Sequence, residues 1–213
     1  MDGKPGLRER KKQRTHAAIS DAAIALFLER GFNQVSVAEV AEAAEVSKRT
    51  LFAYFPTKED LVVHRLADHE TELARVVRAR PPGAEPLAAL REHYLDGLRR
   101  RDPITGLNDH PQVRRVHRMI VEAPSLVARM ARFKAGAEHA LAQALEETAA
   151  LPELSARLAA AQIVAVRWTL ADDNADRLAR GESADDRCPG AVADAELGFA
   201  LLENGLRQLT PKR

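Results

Sequence analysis

The chain has 213 residues, 46% of them hydrophobic and 30% charged, with a formal charge of +1; this length and apolar content exclude a largely disordered chain. Aromatic residues make up 4% and Pro and Gly number 11 each, which favours an all-α fold over sheets. No apolar run approaches the ~20 residues that span a bilayer and no signal-like block follows the amino terminus, so a cytoplasmic chain with no membrane partner is expected, while the lone Cys188, read as a loop thiol, excludes an intrachain disulfide and a Cys-based zinc finger.

The charge is unevenly placed. Lys4, Arg8, Arg10, Lys11, Lys12 and Arg14 stand against Asp2 and Glu9, a local +4 that leaves the remaining residues at −3. Residues 1–14 therefore read as a basic arm, suited to phosphate contact, although such tails also serve only solubility. From Thr15, which is placed to cap a first helix, Ile19, Ala22, Ala23, Leu26 and Phe27 recur at helical spacing up to Gly31. Ser36 with Glu39 forms a capping box for a second helix whose inward residues are Val37, Val40, Ala41 and Ala44. Ser47 caps a third, Lys48 to Phe55, which Pro56 terminates.

Thr57 opens a long connecting helix that Pro81-Pro82-Gly83 breaks. Pro86 starts the next, with Leu87, Leu90, Tyr94, Leu95 and Leu98 on one side, and residues 102–110 read as loop. Helices are then expected from about His110 to Glu122, from Pro124 past Leu145, over 153–180, and over 190–209 after a polar loop at 181–190. That makes about nine helices. The last two are apolar over wide faces, which suits a dimer seam better than a free surface, or packing within one chain.

A helix that reads DNA presents polar side chains on one face while the other is clamped. Val40, Ala41, Val46, Leu51 and Phe55 can supply the clamp, leaving Ser47, Lys48, Arg49, Thr50, Ala53 and Tyr54 outward. The ordered run Ala22-Ala23, Leu26-Phe27, Gly31-Phe32, Ser36-Val37, Val40-Ala41, Val46-Ser47-Lys48, Thr50-Leu51-Phe52, Tyr54-Phe55, Lys58-Glu59, Leu61 resembles the DNA-binding signature of TetR-family transcriptional regulators. The resemblance implies a three-helix DNA-binding domain over 15–60 and an effector-binding and dimerisation body over 61–213. It also implies a homodimer on pseudo-palindromic double-stranded DNA, usually as a repressor, and no cofactor.

By position, Lys48 and Arg49 are expected to read guanine edges, and Ala53 to meet a thymine methyl. Thr50 and Tyr54 are expected to bind phosphate by their hydroxyls, Lys58 by charge and backbone amide, and Ser36 through its helix start. The sequence departs from the family pattern at four places. Glu45 replaces the usual turn glycine and must take a left-handed conformation or shift the turn. Arg49 adds a charged reader, Phe52 stands where tyrosine often contacts phosphate, and Ala38 where some relatives place a polar contact.

In the body, the expected effector-site residues are Tyr94, Leu98, His117, Ile120, Val121, Phe133, Ala137, Val164, Arg167 and Trp168. His110-Pro111, Arg114-Arg115, Ile120, Glu122-Ala123-Pro124, Leu126 and Arg167-Trp168 resemble the branch of the family that takes acyl-CoA-like ligands, which implies a lipophilic effector. Arg167 amid Ile163, Val164, Val166 and Trp168 needs an anionic partner, either on the effector or on a neighbouring helix. Trp168 fits a pocket, the core or the dimer seam. An enzyme is not expected: no His-Glu-x-x-His or glycine-rich phosphate loop occurs, and His93, His110, His117 and His139 fall on different helices, so no catalytic or metal site emerges. A DNA-binding regulator without effector is the other alternative.

Overall fold

The computed structural model describes residues 7–205. Every described element is helical: α1 (Leu7–Arg30), α2 (Val37–Ala43), α3 (Lys48–Tyr54), α4 (Asp60–Val63), α5 (Ala67–Glu70), α6 (Glu72–Ala79), α7 (Pro86–Arg99), α8 (Pro111–Glu122), α9 (Pro124–Ala149), α10 (Glu153–Ala179) and α11 (Ala184–Asn204). Counting α4 to α6 as one interrupted helix gives the nine expected. The interruption is a 3-10 turn at His64–Leu66, where His64 bonds Ser20 at 2.6 Å and Arg65 pairs with Asp21. No glycine or proline marks that break, so periodicity alone reads through it.

The first helix begins at Leu7 and not at Thr15. Residues 7–14 are almost all strong helix formers, so nothing holds the start back to Thr15, which lies inside the helix. The second half of the expected basic arm is thus helical, and its first six residues lie outside the described ones. The expected loop at 181–190 is also corrected. Ser183 caps α11 by accepting the Asp186 amide, and the Ala184 amide donates to Asp109 at 2.9 Å, so the helix carries Cys188 and runs through Pro189.

The chain divides into two compact units. The first holds residues 1–65 and 115–130, the second 66–114 and 131–213. The expected boundary at 60/61 misses the middle segment, residues 115–130, which clusters with the first unit; Met119, Ala123, Leu126 and Met130 in it are buried. Arg115 reaches the Leu28 carbonyl, and Arg129 pairs with Asp60 at 2.8 Å. Around α1 the core of this unit contains Ile19, Ala23, Ile24, Phe27, Val40, Leu51, Phe55 and Leu61, all essentially inaccessible to solvent. Burial of this kind stabilises by roughly 25 cal/mol per Å² of apolar surface.

In the second unit α6, α7, α10 and α11 pack around Leu90, Tyr94, Leu98, Leu141, Ala160, Val164 and Phe199. Two glycines permit close approach. A Cβ on Gly106, at φ +71°, would lie 1.9 Å from the Ala171 carbonyl oxygen, and one on Gly198 would lie 2.9 Å from Val166. Buried Asn174 donates to the Thr105 carbonyl at 3.0 Å and accepts from Arg187 at 3.1 Å, so this polar interior is satisfied.

Candidate nucleic-acid interface and ligand cavity

Between α2 and α3 the backbone turns at Glu45, which adopts φ 53°. A left-handed non-glycine residue costs roughly 1 kcal/mol, and the turn is fixed by the Val46 amide donating to the Ala41 carbonyl at 2.9 Å. The capping box is formed: the Ser36 amide donates to Glu39 at 2.8 Å, and the Glu39 amide donates to the Ser36 hydroxyl at 3.2 Å. These bonds, with Arg30 at 2.6 Å, hold the Glu39 carboxyl down at about 2. The Ser36 hydroxyl accepts in the cap, and because the residue is exposed its O–H remains able to donate to a phosphate.

Ser47 caps α3 by accepting the Thr50 amide at 3.0 Å, and its hydroxyl also lies 2.8 Å from that of Thr50. Leu51 and Phe55 anchor the helix in the core with Val40 and Ala41, while Val46 is half-buried. Opposite them Ser47, Lys48, Arg49, Phe52 and Ala53 are exposed, and Thr50 and Tyr54 are half-buried. Tyr54 leans on His16, 6.1 Å between rings, while His16 itself stacks on Phe55 at 4.5 Å. Two cationic side chains thus stand on an exposed face of a short helix whose rear is locked, the arrangement a base-reading helix requires.

Lys58 is placed otherwise than expected. Its ammonium donates to the Phe32 carbonyl and sits over the Phe32 ring, 4.4 Å from its centroid, and near that of Phe27. Burial lowers its pKa. Its charge is satisfied inside the unit because the carbonyl and the two ring faces offer a partner that sequence spacing does not reveal.

The second unit contains a cavity of about 20 Å³ lined by His69, Glu72, Leu73, Ile104, Phe133, Ala137, Val164, Arg167 and Trp168, room for roughly one water. Five of the ten expected effector residues therefore converge: Phe133, Ala137, Val164, Arg167 and Trp168. Trp168 meets Phe133 edge to face at 6.3 Å, and the Lys134 ammonium lies 4.3 Å from its ring centroid. Tyr94 and Leu98 are buried in the core beside the cavity instead of lining it, since α7 turns them toward Phe199 and its neighbours. His117, Ile120 and Val121 belong to the first unit and line neither this cavity nor a wider cleft of about 430 Å³ there. Their helix α8 falls among the body helices in sequence, but residues 115–130 cluster with the first unit.

Sequence reasoning missed His69, Glu72 and His93. Glu72 on α6 accepts from His69 on α5 at 3.0 Å, lies 3.2 Å from His93 on α7, and lies 3.9 Å from Arg167 on α10. Burial pushes the Glu72 carboxyl up, but the two histidines outweigh it and the net direction is downward. The bond to Glu72 correspondingly raises His69. The spacing of His69 and Glu72 on one helical face was the available signal; the third and fourth members come from distant helices. Among the described residues no group of His, Cys, Asp or Glu is arranged to hold a metal ion, and no helix is long and apolar enough to cross a membrane.

Residues 19–64 match the family model described as bacterial regulatory proteins, tetR family. Among curated proteins the chain is 36% identical over 86 residues to the HTH-type transcriptional regulator TcmR of Streptomyces glaucescens, covering 40% of this chain and 38% of that one. It is 37% identical over 100 residues to the HTH-type transcriptional repressor KstR of Rhodococcus jostii, covering 46% and 44%, and 32% identical over 124 residues to the HTH-type transcriptional regulator RutR of Escherichia coli, covering 57% and 56%. The chain thus spans between about two fifths and somewhat over half the length of these relatives. In fold it resembles NalD, the secondary repressor of the MexAB-OprM multidrug efflux pump in Pseudomonas aeruginosa, at 22% identity and TM-score 0.57, covering 87% of this chain and 97% of that one. It also resembles the fatty acid degradation regulator FadR from Bacillus halodurans, at 20% identity and TM-score 0.53, covering 96% and 99%.

Proposed function

We propose, from the match of residues 19–64 to the family model of bacterial regulatory proteins, tetR family, that the chain is a ligand-responsive transcriptional repressor acting as a homodimer on a pseudo-palindromic DNA site. The observation that carries this reading is α3 itself. Lys48 and Arg49 are exposed at its start while Leu51 and Phe55 lock its rear face in the core. Thr50, Ala53 and Tyr54 extend the same reading surface. Cationic donors there match guanine N7 and O6 in the major groove.

The dimer is supported by apolar side chains left outside on the last two helices: Leu154 is 66% exposed, Leu158 56% and Leu197 54%. A two-fold seam through α10 and α11 would cover them. In a dimer of this kind the two copies of α3 read half-sites about one DNA turn, ~34–36 Å, apart. The small effector, lipophilic in keeping with the cavity's apolar walls, would occupy the cavity of the second unit. His69, Glu72 and Leu73 lie on α5 and α6, so a ligand that displaces them pulls on the chain leading directly to α4 of the first unit. Such a ligand lowers DNA affinity by favouring one of two arrangements.

Selection of binding sites from random duplex DNA followed by footprinting tests this reading. Two-fold symmetric protection with half-sites one turn apart is expected. Enrichment of no sequence, or protection of a single asymmetric half-site, would overturn it.

A further inference from the structure

The second unit encloses a charge imbalance at its cavity. The Arg167 guanidinium is 11% exposed, its nearest carboxylate oxygen is 3.9 Å away on Glu72, and its Nε has no hydrogen-bond partner among the described residues. At that distance the pair is not hydrogen-bonded. Glu72 gives its close contacts to His69 at 3.0 Å and His93 at 3.2 Å. One carboxylate therefore serves three basic side chains delivered by α5, α7 and α10. Asp102 is the other acid near Arg167, but its Oδ1 accepts the Ile104 amide and caps the 3-10 turn. The ring of Tyr94 lies beneath the guanidinium, 5.5 Å from its centroid, and the Tyr94 hydroxyl is likewise buried without a partner. A buried cation so weakly matched is costly unless an anion completes it.

Around these groups the walls are apolar: Leu73, Ile104, Phe133, Ala137, Val164 and Trp168. We propose, resting on the ligand-responsive reading above, that the cavity takes a small organic acid whose carboxylate binds Arg167, with the apolar part lying against Phe133 and Trp168. Arginine suits this role because its planar donors pair with a carboxylate through two parallel bonds. Because the cavity holds about 20 Å³, the apolar part enters by parting Phe133 from Trp168. The recognised group is a free carboxylate, not a thioester, which presents no charge at the acyl carbon.

Trp168 is the only tryptophan in the chain and lines the cavity, so its fluorescence reports occupancy without DNA. The full-length protein is titrated with octanoate and octanamide, with benzoate and benzamide, and with octanoyl-CoA. At least one of the two acids is expected to give a saturable change with a Kd at least about tenfold below that of its amide, and Arg167→Met is expected to erase that preference. Arg167→Lys, which keeps the charge and loses the paired donors, is expected to retain part of it. Equal binding of each acid and its amide overturns the carboxylate assignment while leaving a ligand-sensing cavity in place, as does tighter binding of octanoyl-CoA than of octanoate. An acid preference that survives in folded Arg167→Met overturns the role of Arg167. If no compound of any class changes the signal, the ligand-responsive reading falls with it.

Discussion

Arg129 on α9 donates through Nε to Asp60 Oδ1 at 2.8 Å, while the other oxygen of Asp60 receives the Thr57 amide at 3.0 Å and its hydroxyl at 2.7 Å. A single carboxylate thus holds the turn leading into α4 and ties it to the segment inserted from 115–130. Burial pushes the Asp60 pKa up, but Thr57 and Arg129 outweigh it and leave it lowered. Replacing Arg129 with Met should cost the first unit on the order of 1 kcal/mol, because the bond is charge-assisted yet partly solvent-screened. Urea denaturation read by circular dichroism checks this, and a midpoint equal to that of the parent protein refutes the linkage.

Glu45 supplies a second test. Its φ of 53° is free of strain only for glycine, so Glu45→Gly should raise stability by roughly 0.5–1 kcal/mol, with part of that gain offset by the greater freedom of an unfolded glycine. Glu45→Val, with a branched Cβ, should lower the melting temperature. Thermal scans of the pair give opposite shifts if the turn is as described.

On the reading face, Arg49→Ala should reduce discrimination between a selected site and its single-base variants by about 1–3 kcal/mol. Nonspecific affinity should fall much less. Competition binding at fixed salt separates the two quantities, and an unchanged specificity ratio would remove Arg49 from base reading.

Lys58 predicts the reverse pattern. With its ammonium on the Phe32 carbonyl and ring, Lys58→Met should lower stability by about 1 kcal/mol and leave the salt dependence of DNA binding intact. A shallower salt slope in the variant would show instead that the side chain turns out to phosphate.

The cluster around Glu72 sets a pH profile. Glu72 has a lowered pKa against an ordinary value of 4.5, so its stabilisation is present above that pH and is lost as the pH falls toward the depressed value. His69 is raised from 6.5, so its contribution is complete below 6.5 and is lost as the pH rises through the raised value. Between these limits the pair stabilises fully. In His69→Asn, the difference in unfolding free energy from the parent should shrink above the raised value. Difference profiles that run parallel from pH 5 to 9 would contradict it.

Much of the DNA-binding unit was legible because its signals are local: the Ser36–Glu39 box, the Ser47 cap and the stop at Pro56 each depend on residues a few positions apart. Even the strain at Glu45 was readable, since the turn demands a conformation that its side chain resists. What escaped was set by partners distant in sequence. The turn at His64–Leu66 coincides with bonds to Ser20 and Asp21 on α1, the inward Lys58 depends on Phe32, and α11 runs past Pro189 with Asp109 and the buried Arg187 network supporting its start. The cavity followed the same rule. Phe133, Ala137, Val164, Arg167 and Trp168 share the periodic faces of two long helices, whereas the Glu72 cluster needs four helices to exist at all.

The placement of residues 115–130 bears on how such a protein can be recombined. The polypeptide crosses between the two units three times, at 65/66, 114/115 and 130/131, so a chimaera joined at one crossover would part residues 115–130 from the rest of the unit with which they cluster. Exchange of the second unit, in evolution or at the bench, must leave this inserted stretch with the first. A graft with three junctions is therefore the smallest transplant that keeps both interiors closed.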